Sequence, residues 1–155
     1  MTHDELIDAY QAAWSGKDPA AFASLCTDDV HYEDPLTSPL TGPAAIGEHA
    51  ARLWAGFPDA RLQRTGERLV NGPYAAAPLK LLGTHTAELE GLTPTRRFVI
   101  VHAVAYAELR EGRLHRIRVF FDLYGAAVQL GVLPKPGTVG ERALLMLRGF
   151  GLRQR

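Results

Sequence analysis

The first candidate for chemistry in this sequence is Asp122, a single carboxylate that directly follows the apolar segment VFF. A carboxylate among aromatic side chains is costly to bury unless it is paired, protonated or used in a reaction. In the two-residue period of a strand, Asp122 shares a face with Phe120 and Arg118. If that face lines a pocket, the carboxyl group can serve as a general acid or base. The alternative is that Asp122 caps the helix that follows it.

Two histidines lie in segments that resemble strands. His102 stands within VIVHAVAY and shares its parity with Ile100 and Val104. On a pocket face, His102 or Arg118 would stabilise a developing oxyanion, whereas a lone strand histidine can equally be a hydrogen-bonded core or interface residue. His85 stands between two threonines, which suggests a polar strand face.

Further polar and aromatic residues could contact a substrate in the same pocket. Asp34 precedes a proline and could equally start a turn, while Tyr10 and Trp14 are most simply core residues. The predicted substrate-binding residues are Tyr10, Trp14, Tyr32, Asp34, His49, Trp54, His85 and Phe120.

The elements that must position these residues follow an α+β order, with helices first and long strands after them. Thr2 and Glu5 have the spacing of a capping box, and Pro43 opens a later helix. Long, curved antiparallel strands wrapped around N-terminal helices predict a cone-shaped sheet with an internal pocket. We expect one such domain over residues 1–134, and a C-terminal helical extension over 135–155 that packs on it.

Composition excludes several classes of function. The chain has 155 residues and a net charge of zero, which gives no electrostatic footprint for nucleic acid. Its one cysteine, Cys26, cannot form an internal disulfide, and no secretory leader or membrane span of ~20 apolar residues is seen, so we expect a cytoplasmic protein. Heavy use of Ala, Gly, Arg and Pro suggests a bacterial source. No metal-ligand spacing, P-loop, dinucleotide fingerprint or nucleophile elbow is present.

Several segments resemble SnoaL-like polyketide cyclases of the nuclear-transport-factor-2-like superfamily. These segments are HYEDP, AGFPDARLQ, GTHTAELEGLTPTRRFVI and GRLHRIRVFFDLYGAAVQLGVLP, within residues 3–134. Two positions depart from the family pattern: Ile117 stands near the place of a closing-strand histidine, and Arg96 replaces a turn glycine.

The resemblance implies a cone-shaped α+β fold, a homodimer, and chemistry without metal or cofactor. In the family's cyclases, an acidic residue near the end of the last strand acts as acid and base in an aldol closure, and that position matches Asp122. Related limonene epoxide hydrolases use an Asp–Arg–Asp set to activate water, but Val119 stands at the place of their additional aspartate.

We therefore expect a cofactor-independent enzyme that removes a proton next to a carbonyl group of a hydrophobic, polyketide-like molecule, with Asp122 as the base. The enolate would then close a ring or shift a double bond. One alternative is an epoxide hydrolase that uses the same aspartate. The other is a non-catalytic protein that binds a hydrophobic ligand.

Overall fold

Helices form the first layer of the protein. The computed structural model describes residues 1–151, with side-chain environments as far as residue 147. Helix α1 (His3–Gly16) begins with the predicted capping box, in which Thr2 and Glu5 each bond the other's backbone N–H. Helix α2 (Ala21–Leu25) is short, and α3 (Pro43–Gly56) begins at its proline. None of the described helices is both long and apolar enough to cross a membrane.

The second layer is a curved sheet, which has seven strands within residues 1–151. They are β1 (Cys26–Glu33), β2 (Leu40–Thr41), β3 (Arg61–Arg64), β4 (Leu69–Asn71), β5 (Tyr74–Thr84), β6 (Phe98–Arg110) and β7 (Arg113–Phe121). Their order is β2-β1-β7-β6-β5-β3, and β4 also pairs with β5. All pairs are antiparallel except β1 with β7, which is parallel. The predicted α+β fold is confirmed, with a mixed sheet in place of a purely antiparallel one.

Pro78 lies at the gap between β3 and β4 along the edge of β5. Strand β3 pairs with residues 79–82 of β5, and β4 pairs with residues 74–76. Proline has no N–H to give to a ladder, so it is tolerated where strand pairing is interrupted.

The two faces of strands β6 and β7 have opposite roles. Val99 and Val101 of β6 and Ile117 of β7 are at most 7% exposed and face the helices. Phe98 and Phe120 alternate with them and are 48% and 60% exposed on the outer face. The sequence analysis considered Arg118 and Phe120 as residues of the pocket face of β7, but the alternate residues of the strand face inward. A shift of one residue moves every side chain of a strand to the other face.

Two helices follow the sheet. Helix α4 (Leu123–Leu130) begins at Asp122, and α5 (Val139–Gly151) begins after Thr138, whose hydroxyl accepts from Glu141 N. Leu145, Met146 and Leu147 of α5 are 58–69% exposed. The predicted packing of residues 135–155 on the domain extends to side chains that lie outside the described residues, so it stays a prediction, as does the domain boundary at 134.

Asp122 is exposed and caps α4, because its Oδ1 accepts from Gly125 N at 2.8 Å. We expect Asp122→Ala to lower the free energy of unfolding by about 1 kcal/mol, because an N–H at the helix start loses its acceptor. Asp122→Asn keeps an acceptor and should lose less. Chemical denaturation of both variants measures the difference, and equal stability of Asp122→Ala and the natural protein would contradict the capping role.

Candidate active site

A cavity of about 370 Å³ lies between the helices and the inner face of the sheet. Alanines occupy neighbouring inward positions of β5 and β6, and their small side chains leave space that larger residues would fill. The alanines that line it on these strands are Ala77, Ala103, Ala105 and Ala107. Most of the remaining lining is aliphatic or aromatic, as is typical of a site for a hydrophobic small molecule.

Asp34 and His49 form a buried polar pair in the wall of this cavity. Strand β1 ends one residue before Asp34, and helix α3 presents His49 opposite it. His49 Nε2 lies 2.7 Å from Asp34 Oδ2, and each side chain is 3% exposed. The Tyr32 hydroxyl donates to the same oxygen at 2.8 Å, and Leu36 N donates to Asp34 Oδ1 at 2.6 Å. Three donors therefore satisfy this carboxylate away from water.

These contacts determine the charge of Asp34. Burial raises the pKa of its carboxyl group, but the hydrogen bonds from His49, Tyr32 and the Leu36 backbone outweigh burial and hold the pKa below its ordinary value. Burial, with the nearby Tyr10 and Asp34, raises the pKa of Tyr32 well above its ordinary value. At neutral pH, Asp34 is thus an anion and Tyr32 a protonated donor.

Arg52 contacts the ring nitrogen of His49 that faces away from Asp34. Its Nη2 lies 3.5 Å from His49 Nδ1, and its Nε lies 3.9 Å from a carboxylate oxygen of Glu90. A guanidinium group only donates, so Nδ1 is the acceptor and the proton of a neutral ring sits on Nε2, facing Asp34. This arrangement leaves His49 Nδ1 as the basic atom of the pair.

Comparison with known proteins decides the family. The sequence profile of SnoaL-like polyketide cyclases matches residues 4–130. This chain is 33% identical over 135 residues to nogalonic acid methyl ester cyclase of Streptomyces nogalater, a match that covers 79% of this chain and 98% of that protein. The chain belongs to the SnoaL-like polyketide cyclase family.

Solved structures share the fold at lower identity. TsrD from Streptomyces laurentii superposes with a TM-score of 0.74 at 20% identity, covering 84% of this chain and 95% of that one. A protein of ketosteroid isomerase-like fold from Catenulispora acidiphila gives a TM-score of 0.72 at 21% identity, covering 84% and 95%. Both likenesses support the α+β fold described above.

In this SnoaL-like chain, the closing-strand residues predicted to be catalytic do not line the cavity. Phe121 and Leu123 line it, whereas Asp122 between them is exposed. Arg118 points to the outer face, where its Nη2 donates to Glu33 at 3.4 Å instead of approaching Asp122. The premise that the face of Arg118, Phe120 and Asp122 lines the pocket is thus wrong.

His102 and His85 also lie away from the cavity lining. His102 is exposed on the outer face of β6, because the inward positions are Val101 and Ala103. His85 is fully buried, and its Nδ1 accepts a hydrogen bond from Thr95 N at 3.1 Å. This bond anchors the loop between β5 and β6. Its ring packs 5.2 Å from that of Phe57. These contacts are those of a core residue.

Most of the other predicted substrate-binding residues do line the cavity, namely Tyr10, Trp14, Tyr32, Asp34 and His49. Trp54 instead packs edge-on against Trp14 at 5.8 Å and borders a small neighbouring cleft, while Phe120 is on the outer face. Binding of substrate by these residues stays a prediction.

Sequence reasoning missed three polar residues of the lining: Gln11, Arg52 and Glu90. Arg52 follows His49 by three residues on α3, a spacing that places both on one helical face and could have identified it. Glu90 lies in a loop, where periodicity gives no signal. Among residues 1–151, no group of three His, Cys, Asp or Glu side chains could hold a metal ion.

The lowered pKa of Asp34 predicts a pH dependence of stability. A carboxyl group with a depressed pKa in the folded state stabilises the fold above its unfolded pKa of about 4, and this contribution is lost as pH falls through the folded value. We expect Asp34→Asn to be less stable than the natural protein at pH 7, with the difference shrinking below about pH 4. Denaturation from pH 7 to pH 2 measures it; the matched exposed control is Asp28→Asn. A difference that stays constant with pH would contradict this account.

Proposed function

We propose that this protein is a cofactor-independent cyclase in which His49 Nδ1 is the general base and Asp34 its orienting anion. The observation that supports this most directly is the 2.7 Å contact between His49 and Asp34 in the wall of an apolar cavity. A carboxylate behind an imidazole fixes its tautomer and stabilises the imidazolium that forms during proton transfer. This assignment replaces Asp122 as the base, because Asp122 lies outside the cavity lining.

The proposed reaction is proton removal next to a carbonyl group, followed by aldol ring closure. The substrate displaces the Arg52 contact at His49 Nδ1, which is long at 3.5 Å. The C–H bond then breaks, its proton goes to His49 Nδ1, and the electron pair moves to the carbonyl oxygen to give an enolate. The enolate carbon then forms a C–C bond to a second carbonyl carbon within the same molecule. The resulting alkoxide takes the proton back from His49, so no oxidant or reductant is needed.

The apolar lining supports a hydrophobic, polyketide-derived substrate of the class named for the Streptomyces nogalater relative. Tyr10 is 7% exposed within the lining, and burial raises the pKa of its hydroxyl far above the ordinary value, with only partial opposition from Trp14. It therefore remains a neutral donor that can bind a substrate oxygen. The epoxide hydrolase alternative relied on Asp122 and loses its support with the position of that residue.

Hydrogen–deuterium exchange at carbon 1 of 2-tetralone tests the proposed base without knowledge of the natural substrate. NMR in heavy water follows the exchange, which requires proton removal next to a ketone. We expect His49→Gln to lower enzyme-dependent exchange by about a hundredfold or more, because a general base contributes ~10²–10⁴-fold. His31→Gln, an exposed histidine of β1, is the matched control and should exchange like the natural protein.

The same assay separates the alternatives. If Asp122→Asn abolishes exchange while His49→Gln does not, the closing-strand aspartate is the base and this proposal is wrong. If the natural protein binds 2-tetralone but gives no exchange above the buffer rate, the cavity serves binding alone.

We further propose that the protein is a homodimer through the outer patch, defined as Phe98, Ile100, Val104 and Phe120. These side chains are 40–60% exposed, and Val104 pairs with Phe120 across β6 and β7. A contiguous apolar patch on a sheet marks an interface. The opposite face of these two strands is not available for such an interface, because its apolar residues line the cavity: Val99, Val101, Ala103, Ile117, Val119 and Phe121.

Light scattering at micromolar concentration should give twice the chain mass for the natural protein, and Phe120→Glu should shift it toward the monomer. A charge at the centre of an apolar interface is left unpaired and desolvated. Leu69→Glu is the control, because Leu69 is 72% exposed and lies off the outer patch. A monomeric natural protein would contradict the proposal.

A further inference from the structure

Gln11 of helix α1 is another polar residue of the cavity lining. Its side chain lines the cavity, and the residue is 9% exposed. Its amide nitrogen Nε2 is buried and has no hydrogen-bond partner among the described residues. A buried donor without an acceptor costs free energy, so an unpaired amide beside a cavity indicates a place for an acceptor on a ligand.

Arg68 determines the orientation of the Gln11 amide. The Arg68 side chain is 2% exposed, and its Nη2 lies 3.5 Å from Gln11 Oε1. Its guanidinium group is held by the carboxylates of Asp4 and Asp8 and by the Asp4 carbonyl oxygen at 3.0 Å. Because guanidinium only donates, the amide oxygen must face Arg68, which directs the NH₂ group away from it.

We propose that Gln11 Nε2 donates a hydrogen bond to the carbonyl oxygen of the substrate next to the carbon that His49 deprotonates. This inference rests on the proposed function and deepens it, because it assigns the group that receives the developing charge. As the C–H electron pair moves to oxygen, the acceptor becomes negative and its hydrogen bond to a fixed donor strengthens. Such a donor stabilises the enolate more than the ketone and so favours the reaction.

The ion pairs behind Gln11 make it a preorganised donor. Arg68 is anchored to two carboxylates of α1, one turn apart at Asp4 and Asp8, while Gln11 lies on the same helix. The amide is therefore oriented before the substrate arrives, and no reorganisation is needed as charge develops. The substrate class this implies is a hydrophobic ketone whose oxygen reaches α1 while its acidic carbon faces α3.

Equilibrium binding of 2-naphthol and naphthalene tests the donor. These molecules share a ring system, and 2-naphthol adds the oxygen of an enol, in the position found in the enol of 2-tetralone. Fluorescence titration measures both affinities. We expect Gln11→Met to weaken 2-naphthol binding about fivefold or more, the usual contribution of one hydrogen bond, and to leave naphthalene binding within about twofold.

Gln11→Glu provides a second variant that retains the contact with Arg68. Its carboxylate can still pair with the guanidinium group but has no N–H. Binding of 2-methoxynaphthalene, whose ether oxygen can only accept a hydrogen bond, should therefore fall while naphthalene binding holds. Gln63→Met, at an exposed glutamine of β3, is the matched control and should bind all these probes like the natural protein.

Two results would overturn the inference. One is that Gln11→Met binds 2-naphthol, and Gln11→Glu binds 2-methoxynaphthalene, as tightly as the natural protein does. The other is that naphthalene binding falls as much as 2-naphthol binding, which would show a loss of cavity shape alone. Since binding requires no proton removal, failure of the His49 exchange experiment and failure of this one are separate outcomes.

Discussion

The alternation of side chains along β5, β6 and β7 is the constraint on which the rest of this structure depends. Successive residues of a strand point to opposite faces, so the parity of a strand decides which side chains meet the helices. On β6, the inward positions hold valines and then alanines, whereas the outward positions hold Phe98, Ile100 and His102. The same choice of parity creates the cavity, exposes the outer patch and excludes Asp122 from the cavity lining.

The alanines of the inner face determine the size of the cavity. A sheet curved around helices would bury a close-packed core if its inward side chains were large. Four alanines of β5 and β6 leave about 370 Å³ unfilled between well-packed valines and the aromatic residues of α1 and α3. An unfilled cavity lowers the packing contribution to stability, so other parts of the core have to compensate. Part of this compensation comes from the aromatic cluster of Tyr10, Trp14 and Phe22, whose ring centroids are 5.5–6.5 Å apart.

A buried charged or polar group inside such an apolar space is stable only when its polar atoms are satisfied. Asp34 meets this requirement through His49, Tyr32 and the Leu36 backbone, which come from β1, its following turn and α3. Gln11 does not meet it, because only its oxygen has a partner among the described residues. Asp34 is thus a fully hydrogen-bonded carboxylate, whereas the Gln11 amide nitrogen has no partner among the described residues, and the two proposals rest on this difference.

Local sequence determined the elements whose signals are short-range. The capping box of Thr2 and Glu5 and the helix start at Pro43 depend on residues within one helical turn, so the sequence predicted both. The cap at Asp122 is equally local, and the sequence offered it as the alternative to a catalytic role. The α+β order and the family resemblance likewise followed from the chain alone. Tertiary structure decided the parity of β7, because Phe120 and Phe121 are equally apolar and either could face the core. It also brought together Asp34 and His49, and Gln11 and Arg68, since the first pair is 15 and the second 57 residues apart and no local pattern encodes such contacts.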